Sequence, residues 1–508
     1  MTRTLPSPVA AGPDERFGPR LWGLLLVLAG NMLIDALEVS VAVVALPAIG
    51  TDLGAAPTVT QWAMTGFAAG FGGLLLFGAR VVTLLGRRRV YLAALLAFAA
   101  ASALSALAHD PWLLLTTRLI KGFCAALTAP TGLAIITSTF PEGRPRSRAV
   151  SVYTLFGAGG FTAGLLLSGW LTETSWRWAF AFPAPVVLVL FAFGLRLIPS
   201  GPKGRGAVSD MRLPPRGRDQ PPPSRTRTTT LQRYDIPGAL TLLAALLALV
   251  QGITQLPSHR WSDPRAVGPL CAAALLLGAF WQIERRSADP LLNVGPSLRG
   301  NPALLRSAAG AACLNGSYLG LLFVLTYQTQ TLAGWSPLRA AVALTPAAAP
   351  PALTALASGR LVARFGAPRL IVAGAACAFA GYLLQLRPDP WPLDYPGRML
   401  PTLLLVGAGF VLSFAALNMQ AMSRLAPADR LTGSGLYQTA VQLAAVVTVA
   451  LVAALLAAQA PGAGGGPAAA AAACRPALTL VAVLGFLGLL VGLTGLIRTP
   501  PSSLHDGE

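Results

Sequence analysis

Two stretches, Ala79-Arg80-Val81-Val82-Thr83-Leu84-Leu85-Gly86-Arg87 and Gly359-Arg360-Leu361-Val362-Ala363-Arg364-Phe365-Gly366-Ala367, decide how this chain is read. Each follows a long apolar run and precedes another, so each reads as a tight basic turn between two helices. A turn of one kind met twice means a unit built twice. Working outward from both turns, runs of about 20 mostly apolar residues recur, the length a helix needs to cross a bilayer. Fourteen are read, at 21–46, 59–81, 90–109, 112–138, 149–171, 179–198, 236–255, 266–283, 304–329, 338–358, 369–387, 400–423, 433–458 and 476–497. The two turns fall after the second and the tenth. Spans 1–6 (21–198) and 9–14 (304–497) are therefore equivalent six-helix halves, with two helices (236–283) inserted between them. The fold class is an all-α polytopic membrane protein. Repeated halves of this kind are a transporter architecture.

Composition agrees. Charged residues are 11 % of the chain and hydrophobic ones 54 %, against about 25 % charged in soluble domains. The outer surface therefore faces lipid. A net charge of +19 would suggest nucleic acid in a soluble protein. Here the arginines lie between the apolar runs, which removes nucleic acid as a partner. Arg87 to Arg89, Arg144, Arg146, Arg148, the 199–235 segment, Arg285, Arg286, Arg364, Arg369, Arg424 and Arg430 fall in alternate connections; 47–58 has no arginine and 460–475 has one. The positive-inside rule puts the arginine-bearing connections in the cytoplasm. An even number of spans then places the tails 1–20 and 498–508 there too. With only two lysines, Lys121 and Lys203, and an excess of Ala, Gly and Pro, the chain reads as the product of a GC-rich bacterial genome, placed in the inner membrane. No cleavable leader is expected, because the first apolar run is too long. The 199–235 segment, with Pro221 to Pro223 and many arginines, reads as a disordered cytoplasmic linker. Residues 284–303 form a further cytoplasmic connection, and 460–473 an external loop with at most a short helix. The five cysteines show neither metal-ligand nor disulfide spacing.

Several motifs fall on these helices in order. The first helix has Glu38-Val39-Ser40 followed by Ala45-Leu46-Pro47. The basic turn Ala79–Arg89 follows the second, and the fourth carries Arg118-Leu119-Ile120-Lys121-Gly122. Helix 5 has Gly157, Gly160, Gly164 and Gly169, and Ser175-Trp176-Arg177-Trp178 precedes the sixth. The second half has Gly334-Trp335-Ser336-Pro337 and Leu344-Thr345-Pro346. Together these resemble the major facilitator superfamily, and within it the 14-span drug/proton antiporter branch, over about 21–497. The family's loop acid is Thr83 here, its helix-4 glutamine is Lys121, and the proline after Gly164 is Leu165. The resemblance implies two six-helix halves that alternate access. It also implies gating roles for Arg80, Gly86, Arg87, Arg88, Gly359, Arg360 and Gly366.

Ionisable groups inside a bilayer cost roughly 2.5–3.5 kcal/mol each on insertion scales, so those present call for a reason. Asp35 and Glu38 on helix 1 are three residues apart, as are Arg118 and Lys121 on helix 4. That spacing predicts a shared face for each pair and one buried network of four charges. Mutual neutralisation is one reading. A buried ion pair is often no more stable than apolar packing, so the functional reading is preferred. Burial favours a neutral carboxyl and a nearby cation favours a charged one, so a helix movement can load and unload a proton. Glu38 is the expected proton carrier, with Asp35, Arg118 and Lys121 as partners. Asp35 and Asn31 are also candidates for substrate, and Lys121 admits zwitterionic or anionic molecules. The second half contributes Gln328, Asn418, Tyr437 and Gln438 as substrate contacts, although such groups also join helices. The helix 5 glycines predict close packing, against helix 10. Trp176 and Trp178 predict an interfacial belt.

The expected function is proton-coupled export of drug-like or natural-product molecules by antiport. The alternative is a nutrient or metabolite symporter. No HExxH, Walker loop or Gly-x-Ser-x-Gly occurs, which disfavours an enzyme, and no filter-like sequence suggests a channel. The chain is expected to act as a monomer in contact with lipid, with no cofactor and the proton gradient as energy source.

Overall fold

In a computed structural model, residues 17–199, 235–257, 263–287, 291, 300–354, 356–387, 391–426, 429–459 and 466–497 are described. The chain there is helical, with no strand among the described residues. The first half is α1 (Pro19–Leu53), α2 (Pro57–Leu85), α3 (Arg87–Ala106), α4 (Pro111–Thr139), α5 (Arg144–Thr174) and α6 (Trp176–Leu197). The inserted pair is α7 (Ile236–Gln255) and α8 (Pro264–Arg286). The second half is α9 (Pro302–Leu332), α10 (Pro337–Thr354), α11 (Ala367–Gln385), α12 (Tyr395–Met422), α13 (Arg430–Ala458) and α14 (Arg475–Ile497). Thirteen of the fourteen expected spans are each long and apolar enough to cross a membrane, and the tenth, α10, is so only together with the short helix that follows it. The structure of the 200–234 linker, of 1–16, 292–299 and 460–465, and of the 498–508 tail lies outside the described residues.

Apart from the end of α1, the helix bounds lie within five residues of those expected, and two of the departures have a visible cause. Helix α1 runs seven residues beyond the expected end at 46, through Pro47 to Leu53. Near the helix end Thr51 Oγ donates to the Ala48 carbonyl at 3.0 Å, and Gly54, at φ +59°, closes the helix. Helix α10 stops at Thr354, short of the expected 358. It contains Pro346, Pro350 and Pro351, each lacking an N–H to continue the ladder. A short helix, Ser358–Phe365, follows and leaves α10 at 79°.

The two repeated turns have one geometry. Gly86 sits at φ 88°, ψ 139° and Gly366 at φ 79°, ψ 142°. Each donates its N–H to the carbonyl four residues back, Val82 and Val362. A side chain at such φ is strained, so glycine is required at both. The repeat read in the sequence is thus a repeat of backbone conformation.

The halves meet along two equivalent seams, α5 on α10 and α2 on α13. Away from the arginine-bearing turns, one buried cluster joins both halves, from Leu37–Ile49 on α1 to Tyr318–Leu325 on α9 and Ala445–Leu456 on α13. Toward those turns the buried residues divide. One cluster, around Tyr91 and Phe140, belongs to the first half, and another, around Leu304 and Tyr437, belongs to the second. The inserted pair lies against the α2–α13 seam, where Val250 and Ile253 of α7 pack with Trp62, Ala69, Val446 and Ala450.

Candidate functional site

Glu38, Arg118 and Lys121 form one fully buried cluster inside the first half, each with 0 % exposure. Arg118 Nη1 pairs with Glu38 Oε2, and Lys121 Nζ lies 2.5 Å from Oε1. Arg118 Nη2 donates to the Glu38 carbonyl at 2.9 Å, and Nε donates to the Ala63 carbonyl on α2 at 2.5 Å. One guanidinium thus ties α1, α2 and α4 together. Two cations against one carboxylate leave a net positive charge in a dry interior, which is costly unless otherwise compensated. Aromatic faces supply that compensation. The Arg118 guanidinium lies 4.9 Å from the ring of Phe67 and 5.5 Å from that of Phe180; Lys121 Nζ lies 5.2 Å from Phe98 and 5.6 Å from Phe180.

Phe180, on α6, is shared by both cations. Replacing it with Leu removes two cation–π contacts and buried ring area, at a cost of about 1–3 kcal/mol. The expected result is a lower melting temperature in detergent, read by intrinsic tryptophan fluorescence. Phe193→Leu on the same helix, where the ring is 54 % exposed, should leave the melting temperature within a degree or so.

Asp35 does not join this cluster, contrary to the network of four charges expected from the sequence. Its Oδ2 accepts from Asn31 Nδ2 at 3.0 Å and lies 3.0 Å from Thr128 Oγ on α4. Three residues turn a helix by about 300°, leaving the two acids about 60° apart; Glu38 reaches the cations and Asp35 reaches Thr128. Asn31 and Asp35 are 3 % and 6 % exposed. Both face the inside of the first bundle in this conformation.

The second-half candidates do not converge. Gln328 lies in the π-helical end of α9, Tyr327–Leu332, and is 2 % exposed. That end belongs to the side where the halves are joined, and its neighbour Gln330 donates to the Val44 carbonyl of α1 at 3.0 Å. Asn418, Tyr437 and Gln438 lie toward the other end. Tyr437 is buried within the second half, Gln438 is half-buried and Asn418 is exposed. Asn418 precedes Met419 and Gln420, which with Arg306 and Arg424 line a cavity of about 490 Å³. Sequence reasoning missed the aromatic residues that cross the seam. The ring of Phe161 of α5 lies tilted against Tyr318 of α9 at 5.8 Å, Tyr318 lies tilted against Phe410 of α12 at 5.0 Å, and Phe410 stacks on Phe414 at 4.9 Å.

Around the first turn, Arg87 Nη1 donates to the Ala134 carbonyl near the end of α4 at 3.4 Å, and Arg88 Nη2 donates to the Leu195 carbonyl near the end of α6 at 2.6 Å. Cations there complement the negative ends of those helices. Thr83, in place of the family acid, donates to the Arg80 carbonyl at 2.7 Å. An acid reaches this region from elsewhere: Asp235, which precedes α7, has Oδ2 4.0 Å from Arg80 Nη1 and accepts from the Leu291 N–H at 3.2 Å. Gly359 and Arg360 of the second turn are exposed.

The helix 5 glycines divide between two neighbours. A Cβ on Gly157 would meet Met32 at 3.0 Å, one on Gly160 the Leu33 carbonyl at 2.5 Å, and one on Gly164 Ser40 Oγ and the Leu37 backbone. All three neighbours are on α1. Only Gly169 faces α10, where Ala341 lies 2.5 Å from the built Cβ. The expectation of α10 as their common partner is therefore corrected. Trp178 is 59 % exposed and fits an interfacial belt, but Trp176 is buried at 3 %. Its indole donates to Asp52 Oδ2 at 3.0 Å, beside an Arg177–Asp52 pair at 2.7 Å.

Comparisons with known proteins agree with this architecture. The family model described as Major Facilitator Superfamily matches residues 28–449. Among similar proteins, the puromycin resistance protein pur8 of Streptomyces alboniger is 34 % identical over 88 % of this chain and 83 % of its own length. The cephamycin export protein CmcT of Amycolatopsis lactamdurans is 31 % identical over 84 % of this chain and 83 % of its own. Among solved structures, the bacterial homolog of the human lysosomal transporter Spinster, inward-facing and unoccupied, superposes with a TM-score of 0.61 at 15 % identity, covering 96 % of this chain and all of that one.

Proposed function

The chain belongs to the major facilitator superfamily, a family of transporters rather than enzymes, and from that premise we propose that it exports a small organic molecule in exchange for protons. The observation that carries this reading is the buried Glu38 cluster. A carboxylate held between two cations is ionised. When a proton neutralises it, Arg118 and Lys121 repel each other without a counter-charge, and the packing of α1 on α4 becomes unfavourable. Protonation thereby biases the halves toward another arrangement, which is the coupling that antiport requires. The arginine distribution places the joined side outside and the open side in the cytoplasm. The conformation is accordingly inward-facing, ready to take substrate from the cell. Both termini are cytoplasmic and the membrane is a bacterial inner membrane.

Substrate enters between the halves. The Phe161–Tyr318–Phe410–Phe414 run at their seam suits a flat, largely apolar molecule. The relatives named for puromycin resistance and cephamycin export make antibiotics the class to test first. The full chain is to be reconstituted in lipid vesicles with an imposed pH gradient and radiolabelled puromycin as probe. Antiport predicts uptake into vesicles that are acidic inside, and loss of that uptake when an ionophore collapses the gradient. Uptake into vesicles acidic outside would instead identify a symporter.

A further inference from the structure

The two acids of α1 are in opposite states. Both oxygens of Glu38 face cations. Asp35 has no ion-pair partner among the described residues, and its Oδ1 is buried without a hydrogen bond. An ionised carboxylate so placed would cost several kcal/mol. The titratable groups facing it are Glu38 on α1, Tyr91 on α3, Cys124 on α4 and Tyr153 on α5. Both α4 cations, Arg118 and Lys121, are engaged by Glu38. The phenols and the thiol are uncharged at neutral pH, so none supplies a positive charge.

Hydrogen counting points the same way. Thr128 Oγ lies 3.0 Å from Asp35 Oδ2 and 3.0 Å from the Cys124 carbonyl. A hydroxyl has one hydrogen and a carbonyl has none. If Thr128 donates to the Cys124 carbonyl, as helical threonines commonly do, its contact with Asp35 needs a hydrogen supplied by the acid. Asn31 Nδ2 donates to the same oxygen. A neutral Asp35, with Oδ2–H directed to Thr128, satisfies every short contact without a counter-ion.

We infer that Asp35 is a second proton site, distinct from Glu38 and occupied in the conformation in which Glu38 is empty. Its use in transport rests on the proton-coupled reading above; its occupancy does not. Thr128 and Asn31 are positioning residues that hold the acid in its neutral form. A shift of α1 against α4 that parts Glu38 from its cations also parts Asp35 from Thr128, so the two sites exchange occupancy in one movement.

The test is infrared spectroscopy of the full chain in lipid vesicles at neutral pH, reading the C=O stretch of protonated carboxyl groups. A band is expected in the wild type. It should vanish in Asp35→Asn, persist in the paired Glu38→Gln/Lys121→Gln variant, and move in frequency in Thr128→Val. Asp35→Glu, which keeps an acid, should retain a band and guards against failure of Asp35→Asn to fold. A wild type without the band, or a band that survives Asp35→Asn, overturns the inference. Transport indifferent to a pH gradient, with the Asp35 band present, would overturn the proton-coupled reading and leave this site standing.

Discussion

Glu38→Gln abolishes transport driven by a pH gradient and also lowers the yield of folded protein. The first effect follows from removing the group that takes up the proton. The second follows from the pairing: the amide leaves Arg118 and Lys121 buried without an anion, and breaking a buried pair on one side costs about 3–5 kcal/mol. The two effects are separable. Glu38→Gln/Lys121→Gln removes one cation along with the anion, while Arg118 keeps its bonds to the Glu38 and Ala63 main-chain carbonyls. Yield and melting temperature should recover in this variant, whereas pH-driven transport should not. Fluorescence-detected size exclusion gives the yield, and vesicle uptake gives the transport.

Gly164→Val is the second large effect. Its Cβ would fall on Ser40 Oγ and within 2.9 Å of the Leu37 Cα. Backbone cannot yield as a flexible side chain does, so α1 and α5 must separate. Overpacking of this kind costs about 1–3 kcal/mol or more, and the displaced helix carries both Asp35 and Glu38. Loss of folded protein is expected, with little transport in whatever survives. Gly159 lies on the same helix and a Cβ there meets nothing within 4 Å. Gly159→Ala should express and transport as wild type does. Equal loss in both variants would point to helix propensity or lipid contact rather than to the α1–α5 approach.

The fold was legible because a bilayer imposes one length on every span and the chain repeats itself. The turns at Gly86 and Gly366 carry their conformation in their residue type, since only glycine is at ease there. The departures have local causes. Pro47 sits within α1 near its end away from the arginine-bearing turns, where the helix continues to Leu53, whereas the prolines of α10 come late enough to end it. The helix 5 glycines could have been divided in advance. Gly157, Gly160 and Gly164 recur at three and four residues and share one face, while Gly169 is five further on, about 140° away around the helix.

At the site, the sequence supplied the charged residues and the pairing of Glu38 with Arg118 and Lys121, but not the separation of Asp35 from them. Three-residue spacing suggested one face for Asp35 and Glu38, yet an offset of about 60° is enough to aim two short side chains at different neighbours. Thr128 is an ordinary polar residue of α4 until its distance to Asp35 is known. Phe67, Phe98 and Phe180 are indistinguishable in sequence from the other apolar residues of their helices. Only the packing of α2, α3 and α6 around α4 turns their rings toward cations. Asp235 is likewise far in sequence from the turn that it approaches, and it arrives there through the inserted pair.

In the proposed mechanism Glu38 carries the proton that is exchanged for substrate. The most direct measurement is proton release from purified protein in weakly buffered detergent, on addition of a compound that the vesicle assay shows to be transported. Started from a pH acid enough for Glu38 to carry its proton, wild type should release protons in proportion to substrate bound, and Glu38→Gln/Lys121→Gln should bind the same compound and release fewer. Unchanged release per molecule bound in that variant would contradict the assignment.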